Sequence, residues 1–205
     1  MRPRPQSHGG VTPPSVAVRS APPPYAVEEK DLPLIPAISS NGTLYPVGKM
    51  EAHRRGLLHM AISIFVFSGE ELLIQRRAAC KYHSGLQWAN TCCSHPVWGE
   101  AENDAAQRRL KEELGIAVAL KPAGTLVYRA DVGGGLVEHE RIRAYVGYAD
   151  KTTLRADPDP NEVAAIRWAT REQLRPEIAA DPRAFAPWFR IYIERWDELG
   201  ISHAA

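Results

Sequence analysis

Blocks of apolar and polar positions divide the chain into predicted elements. From His59 to Phe67 nearly every residue is apolar, which predicts a strand buried on both faces. Ser68-Gly69-Glu70 then reads as a turn, and Leu72 to Arg77 as the partner strand of a hairpin. Folded structure is expected to begin near Leu34–Tyr45, with a helical turn at Lys49 to Arg54. Glu102 to Leu114 has a helical period: Ala106, Leu110 and Leu114 recur at spacing four, and Glu102 and Asp104 occupy the first turn. Gly115 stands where a left-handed cap belongs. Gly124 to Ala130 predicts a strand, and Asp131 to Gly135 a flexible connection. Leu136 to Tyr148 alternates with period two, so Leu136, Ile142, Ala144 and Val146 share one face. Glu138 and Glu140 fall on that same apolar face, while His139, Arg141 and Arg143 take the other. After the loop Asp157-Pro158-Asp159-Pro160, Val163 to Trp168 predicts another strand. Asp181-Pro182 opens a final helix carrying Phe185, Trp188, Tyr192, Trp196 and Leu199 at three- to four-residue spacing. Strands and helices alternate with at least one hairpin, which predicts an α/β (α+β) domain around a mixed sheet.

Composition narrows the setting. The chain has 205 residues, enough for one domain with a full core, and 44% hydrophobic with 24% charged residues is ordinary for a globular protein. A formal net charge of +1 gives no electrostatic case for nucleic acid or an anionic membrane surface. No apolar run approaches the roughly 18–20 residues that cross a bilayer. The 3 Cys are odd in number, and Cys92 and Cys93 are adjacent, which favours free thiols in a reducing compartment and hence a cytoplasmic location. Met1 to Ala26 is Pro-rich, contains Arg2, Arg4 and Arg19, and has no acid. The repeated prolines favour a disordered extension over an amphipathic targeting helix, giving an expected leader over residues 1–33 and a folded domain over 34–205.

Two carboxylates on an apolar face require an account. An ionised carboxylate is costly to bury unless paired or bound to a cation. Either the start of that strand projects into solvent, or Glu138 and Glu140 serve a metal. His53, His59 and His95 are candidate companions, and three imidazoles with two carboxylates approach an octahedral shell that suits Mn, Fe, Co or Zn as much as Mg. Cys93 lies in the polar stretch Asn90-Thr91-Cys92-Cys93-Ser94-His95-Pro96, where it is either a small buried hydrophobe or a reactive thiol. Glu112 and Glu113 are either surface partners of Arg108 and Arg109 or ligands of a divalent cation. Lys49, Arg77 and Lys81 are either solvated or dispersed cations for a diphosphate. Trp188 is core, or a π face for a developing cation.

Ser94 to Ile116 resembles the Nudix box: Glu100, Arg108, Leu110, Glu112, Glu113, Gly115 and Ile116 fit, while Ser94 replaces the usual Gly and Arg109 the usual Glu. The second departure removes a carboxylate that Nudix hydrolases use in diphosphate cleavage. With Gly48 to His53, Leu57 to His59, Gln75 to Ala78, Lys81, Gly85 to Trp88, Tyr128 to Ala130, Glu138 to Glu140 and Phe185 to Phe189, the chain resembles the type 1 isopentenyl-diphosphate isomerases from about Leu34 onward. The resemblance implies a Nudix-like mixed sheet between helices and the isomerisation of isopentenyl diphosphate to dimethylallyl diphosphate. It implies Cys93 and Glu140 as the acid–base pair, with Tyr128 bonded near Glu140. It further implies one divalent metal (Mg2+, Mn2+ or Zn2+) on His53, His59, His95, Glu138 and Glu140, and a diphosphate-bound Mg2+ shared with Glu113. Lys49, Arg77, Lys81 and Arg109 would hold the diphosphate, Trp188 would face the carbocation, and no flavin is expected. The expected partner is this small-molecule substrate, and the expected state a monomer. The alternatives are a Nudix pyrophosphohydrolase and a binding module without chemistry.

Overall fold

The computed structural model describes residues 33–201. The expected Pro-rich leader lies, apart from Pro33, outside the described residues. Within them run β1 (Leu34–Ile38), β2 (Leu44–Gly48), α1 (Lys49–Arg55), β3 (His59–Ser68), β4 (Glu71–Arg77), β5 (Trp88–Ala89) and β6 (Cys92–Ser94). Then follow α2 (Glu102–Leu114), β7 (Leu120–Gly133), β8 (Leu136–Tyr148), β9 (Val163–Ala169), α3 (Arg171–Ala180) and α4 (Pro187–Glu194).

The strands form one mixed sheet centred on β3. β3 pairs parallel with β8 from His59↔Glu140 to Phe67↔Tyr148, and antiparallel with β6, where Ser63 faces Cys93. β7 and β8 form a long antiparallel hairpin that sets Tyr128 opposite Glu140. β4 joins β3 at its end and carries β9 and β5 on its flanks. β3 is largely apolar, with His59 and Ser63 the buried exceptions, because both of its faces are covered. Ile62, Ile64 and Val66 pack with Leu110 and Leu114 of α2. Ala61, Phe65 and Phe67 pack with Trp188, Phe189 and Tyr192 of α4. The expected mixed sheet between helices is therefore observed.

Several sequence expectations need correction. The strand expected at Gly124 to Ala130 runs from Leu120 to Gly133, with a register shift between Pro122 and Thr125. The flexible connection at Asp131 to Gly135 is the end of β7 and a tight turn, where Gly134 and Gly135 take positive φ of 63° and 75°. The final helix is broken. Asp181-Pro182 opens a 3₁₀ turn over Pro182–Ala184, Phe185 and Ala186 are extended, and a new helix starts at Pro187. Pro187 keeps Ala186 out of the helical region, and Ala186 N–H donates to the Trp88 carbonyl at 2.9 Å, drawing that segment against β5. α3 was not anticipated. It begins with a capping box between Thr170 and Gln173 and tolerates Pro176 in its middle.

Candidate active site

The register of three neighbouring strands gathers the polar residues. His59 starts β3 and lies beside Glu140 of β8, which lies beside Tyr128 of β7. β6 brings Cys93 and then His95 against the other side of β3, and α1 turns His53 inward. His53, His59, Glu138 and Glu140 are all buried, so the strand carrying the two acids does not project into solvent.

The imidazoles are oriented for a cation. His53 Nδ1–H donates to the Lys49 carbonyl and His59 Nδ1–H to the Leu57 carbonyl, both at 2.7 Å. Each ring therefore presents a bare Nε2 to the interior. His53 Nε2 is buried without a partner, and His59 Nε2 lies 3.1 Å from His95 Nε2. Glu140 Oε1 stands 2.9 Å from His95 Nε2 and 3.5 Å from His59 Nε2. The donor atoms of His53, His59, His95 and Glu140 all lie within 4.8 Å of one another. Atoms bound at about 2.1 Å to one ion stand about 3 to 4 Å apart, so this donor set fits a divalent metal. Glu138 stands on the other flank, grouped with His53 and His83.

Electrostatics agree with that fit. Burial lowers His53 to about 4 and His83 to about 2, and it holds His95 well below the usual range, so these three rings are neutral at pH 7. Burial and the nearby Glu140 push Glu138 up. Burial acts in the same direction on Glu140, but the adjacent His95 and His59 rings, His95 in hydrogen-bond contact, outweigh it and keep that carboxyl low. Tyr128 Oη lies 2.9 Å from Glu138 Oε2 and 2.7 Å from Glu140 Oε2, so one hydroxyl serves both acids.

Cys93 Sγ donates to Asn90 Oδ1 at 2.9 Å and lies 3.4 Å from Ser63 Oγ. Burial pushes its pKa up to about 12, so it is a neutral thiol at pH 7. Asn90 is itself fixed by the Ile64 and Cys92 carbonyls, and Ser63 by Tyr192 at 2.8 Å. Cys93 and Glu140 both line a cavity of about 30 Å³, together with Arg77, His83, Glu138 and Trp188. This cavity shares Lys49, Lys81, Tyr82, Ser94, His95 and Arg109 with an outer cleft of about 420 Å³.

The cleft is rimmed by cations. Burial, then repulsion from Arg109 and Arg77, lowers Lys49 to about 8. Lys81 pairs with Glu162 at 2.5 Å, and Arg109 reaches the same acid at 3.3 Å. Arg109 also binds Glu113 at 2.6 Å, and Glu113 accepts from Gln75 at 3.1 Å. Glu113 is buried and faces inward, whereas Glu112 is a half-exposed surface partner of Arg108 and Arg109. Glu100 takes a bidentate pair from Arg108, which ties the loop before α2 to the helix. The Arg77 guanidinium lies 5.2 Å from the Trp188 ring centre. Sequence reading did not single out Ser63, Asn90, Gln75, His83 or Glu162 as site residues. Only Asn90 and Gln75 left a trace, inside motifs quoted for other reasons.

A NUDIX domain model matches residues 57–189. An isopentenyl-diphosphate Delta-isomerase of Cereibacter sphaeroides is 54% identical over 153 residues, covering 74% of this chain and 86% of the relative. The chain belongs to the isopentenyl-diphosphate Delta-isomerase family. A Rhodobacter capsulatus member is 50% identical, covering 77% of this chain and 90% of its own. Among solved structures, the Deinococcus radiodurans protein DR0079 superposes with a TM-score of 0.65 at 17% identity, over 79% of this chain and 98% of that one, a likeness of fold.

Proposed function

We infer that the enzyme interconverts isopentenyl and dimethylallyl diphosphate by moving one proton on and another off the five-carbon chain. The observation that carries this reading is the shared inner cavity, which has a neutral thiol and a carboxylate among its lining groups and continues into a cation-rimmed cleft. In this reading the alkene is protonated at its terminal carbon to give a tertiary carbocation, and a proton is then lost from C2. Cys93 and Glu140 exchange these protons, each an acid in one direction and a base in the other. Tyr128 holds the Glu140 carboxyl in place. Burial of the cavity excludes water that would quench a cation. Trp188 lines the same cavity and offers a π face, next to which Arg77 is held.

His53, His59, His95 and Glu140 hold one divalent ion, Mg2+, Mn2+ or Zn2+, with Glu138 at its flank. Such an ion lowers the proton affinity of the carboxyl it binds. Lys49, Arg77, Lys81 and Arg109 take the diphosphate, and Glu113 takes its Mg2+. Arg109 stands where a Nudix hydrolase carries an acid, which weighs against diphosphate cleavage. No flavin is required for this chemistry. The three free thiols support a cytoplasmic setting, and a monomer suffices because every residue invoked comes from one chain.

The test is turnover of isopentenyl diphosphate in deuterated water. Deuterium should enter dimethylallyl diphosphate without release of phosphate or pyrophosphate. Cys93→Ala should lose about 10²-fold or more in kcat while still binding the diphosphate. Phosphate release without isomerisation would replace the isomerase reading with a hydrolase. Near-normal activity in Cys93→Ala would remove the thiol from the mechanism.

A further inference from the structure

The loop joining β4 to β5 carries a histidine for which neither the fold nor the reaction accounts. His83 is 7% exposed, and both of its ring nitrogens are buried without a hydrogen-bond partner. An imidazole always has one N–H and one lone pair, or two N–H groups, so two unpaired buried nitrogens are a substantial cost that packing alone does not offset. Its ring stacks beside His53 with centroids 5.9 Å apart and meets the edge of Trp188 at 5.6 Å. Nε2 lies 3.5 Å from Glu138 Oε1, too long for a hydrogen bond but within the spacing of two donors on one ion. The donor atoms of His53, His83 and Glu138 lie within 4.8 Å of one another.

The loop holds this ring firmly. Arg77 N–H donates to the Gln87 carbonyl and Leu86 N–H to that of Arg77, closing the base of the loop. Arg77 Nη2 binds the His83 carbonyl at 3.3 Å. Ser84 and Leu86 both sit at positive φ, 52° and 62°, conformations that cost about 1 kcal/mol or more in a residue with a side chain.

We propose that His83 is a ligand of the metal centre, a fourth imidazole that joins His53 and Glu138 on the flank away from His59 and His95. This rests on the reading of His53, His59, His95 and Glu140 as that centre. A shared ion would satisfy the orphaned Nε2 of His53 and one of the two orphaned nitrogens of His83 together, and would give Glu138, bonded by Tyr128 and approached at a distance by His83, a cation to face. The shell would then consist of His53, His59, His83, His95, Glu138 and Glu140, leaving no position for bulk water beside the reacting chain.

The test reads the metal and not the turnover. In the full-length wild-type protein titrated with Zn2+, long-range ¹H–¹⁵N correlation spectra should show ring nitrogens of His53, His59, His83 and His95 moving to metal-bound shifts, while His139 stays unchanged. Loaded with Co2+, the wild type should show the weak visible absorption of a six-coordinate ion. His83→Phe keeps the bulk beside Trp188; it should raise the metal dissociation constant about tenfold or more and intensify that absorption as coordination falls. His139→Ala serves as a control for loss of a histidine outside the cluster. If the His83 nitrogens stay unshifted while the other three move, the proposal fails and the centre stands. The same holds if His83→Phe binds with wild-type affinity and spectrum. If the wild type takes up no metal, the centre itself falls. Should His83→Phe not fold, the wild-type spectra alone decide.

Discussion

At the scale of single residues, the site is a set of charges held away from their ordinary states. Lys49 shows this most directly. Burial first, then Arg109 and Arg77, brings its pKa to about 8, and Glu162 and Glu113 only partly offset them. A lysine's charged form is the one present below its pKa, so free enzyme carries the Lys49 charge at pH 7 and loses it above about 8. A bound diphosphate favours the charged form. The kcat/KM for isopentenyl diphosphate should therefore fall several-fold between pH 8 and 9. Lys49→Arg, whose guanidinium stays charged, should remove that fall. Cys93 does not confuse the profile, since its thiol ionises only near 12. A profile flat to pH 10 in the wild type would show that the Lys49 charge does not serve substrate binding. The residues of this rim were legible in the sequence because cations and acids stand out at fixed places in rare motifs. Ser63, Glu162 and His83 were not. Each is ordinary in its own stretch and acquires a role only through a partner far along the chain: Tyr192 for Ser63, Arg109 for Glu162, Glu138 for His83.

At the scale of elements, the chemistry depends on register. The alignment His59↔Glu140 and Tyr128↔Glu140 exists only because β3, β7 and β8 pair as they do, and a one-residue slip would turn the acids to the opposite face. α2 is placed just as tightly. Its cap Gly115 has φ 67°, and a Cβ there would stand 2.9 Å from the Asp157 backbone oxygen and 3.0 Å from its nitrogen. The Asp157 and Asp159 amides donate to the Leu114 and Glu113 carbonyls, so the loop leading to Glu162 hangs on this cap. Gly115→Ala combines left-handed strain with a backbone clash and should destabilise the fold by about 2 kcal/mol or more in denaturant unfolding. It should also weaken diphosphate binding, because Glu162 and Arg109 lose their alignment. An unchanged midpoint would mean that the loop shifts freely. β8 and α2 were legible to the residue because each has one dominant period and a sharp end. α3 was not, because Pro176 and a largely exposed surface hide its period, with Leu174 its one buried residue. The β1–β2 hairpin was obscured by Pro36 and Pro46 facing each other in mid-strand. The final helix looked continuous because Phe185, Trp188, Tyr192 and Trp196 do share a core, although a bridge to β5 interrupts the backbone between the first two.

At the scale of the molecule, the proposed metal centre ties metal binding to the stability of the fold. His53, His83 and His95 are buried within one cluster, and all three are held neutral by burial. Their folded pKa values lie below the unfolded value of about 6.5, so as pH falls through 6.5 the unfolded chain gains protons that the folded chain refuses. Stability contributed by these rings is complete above pH 6.5 and is lost as the pH approaches their folded values. Glu138 works in the opposite sense. Its raised pKa lets the folded state keep a proton that the unfolded chain has released above about 4.5, which offsets part of the effect of the rings. Three rings oppose one acid, so metal-free protein should lose stability between pH 6 and 5. Denaturant unfolding of chelated protein at pH 7, 6 and 5 would measure this slope, and His83→Phe should reduce it by about one proton. The folded rings stay neutral at both values, so a saturating ion should raise stability at pH 6 and at pH 5 alike. Equal stability of the chelated protein at pH 7 and 5 would mean that the rings take up protons within the fold, and the cluster would then be too open to hold a dry reaction chamber.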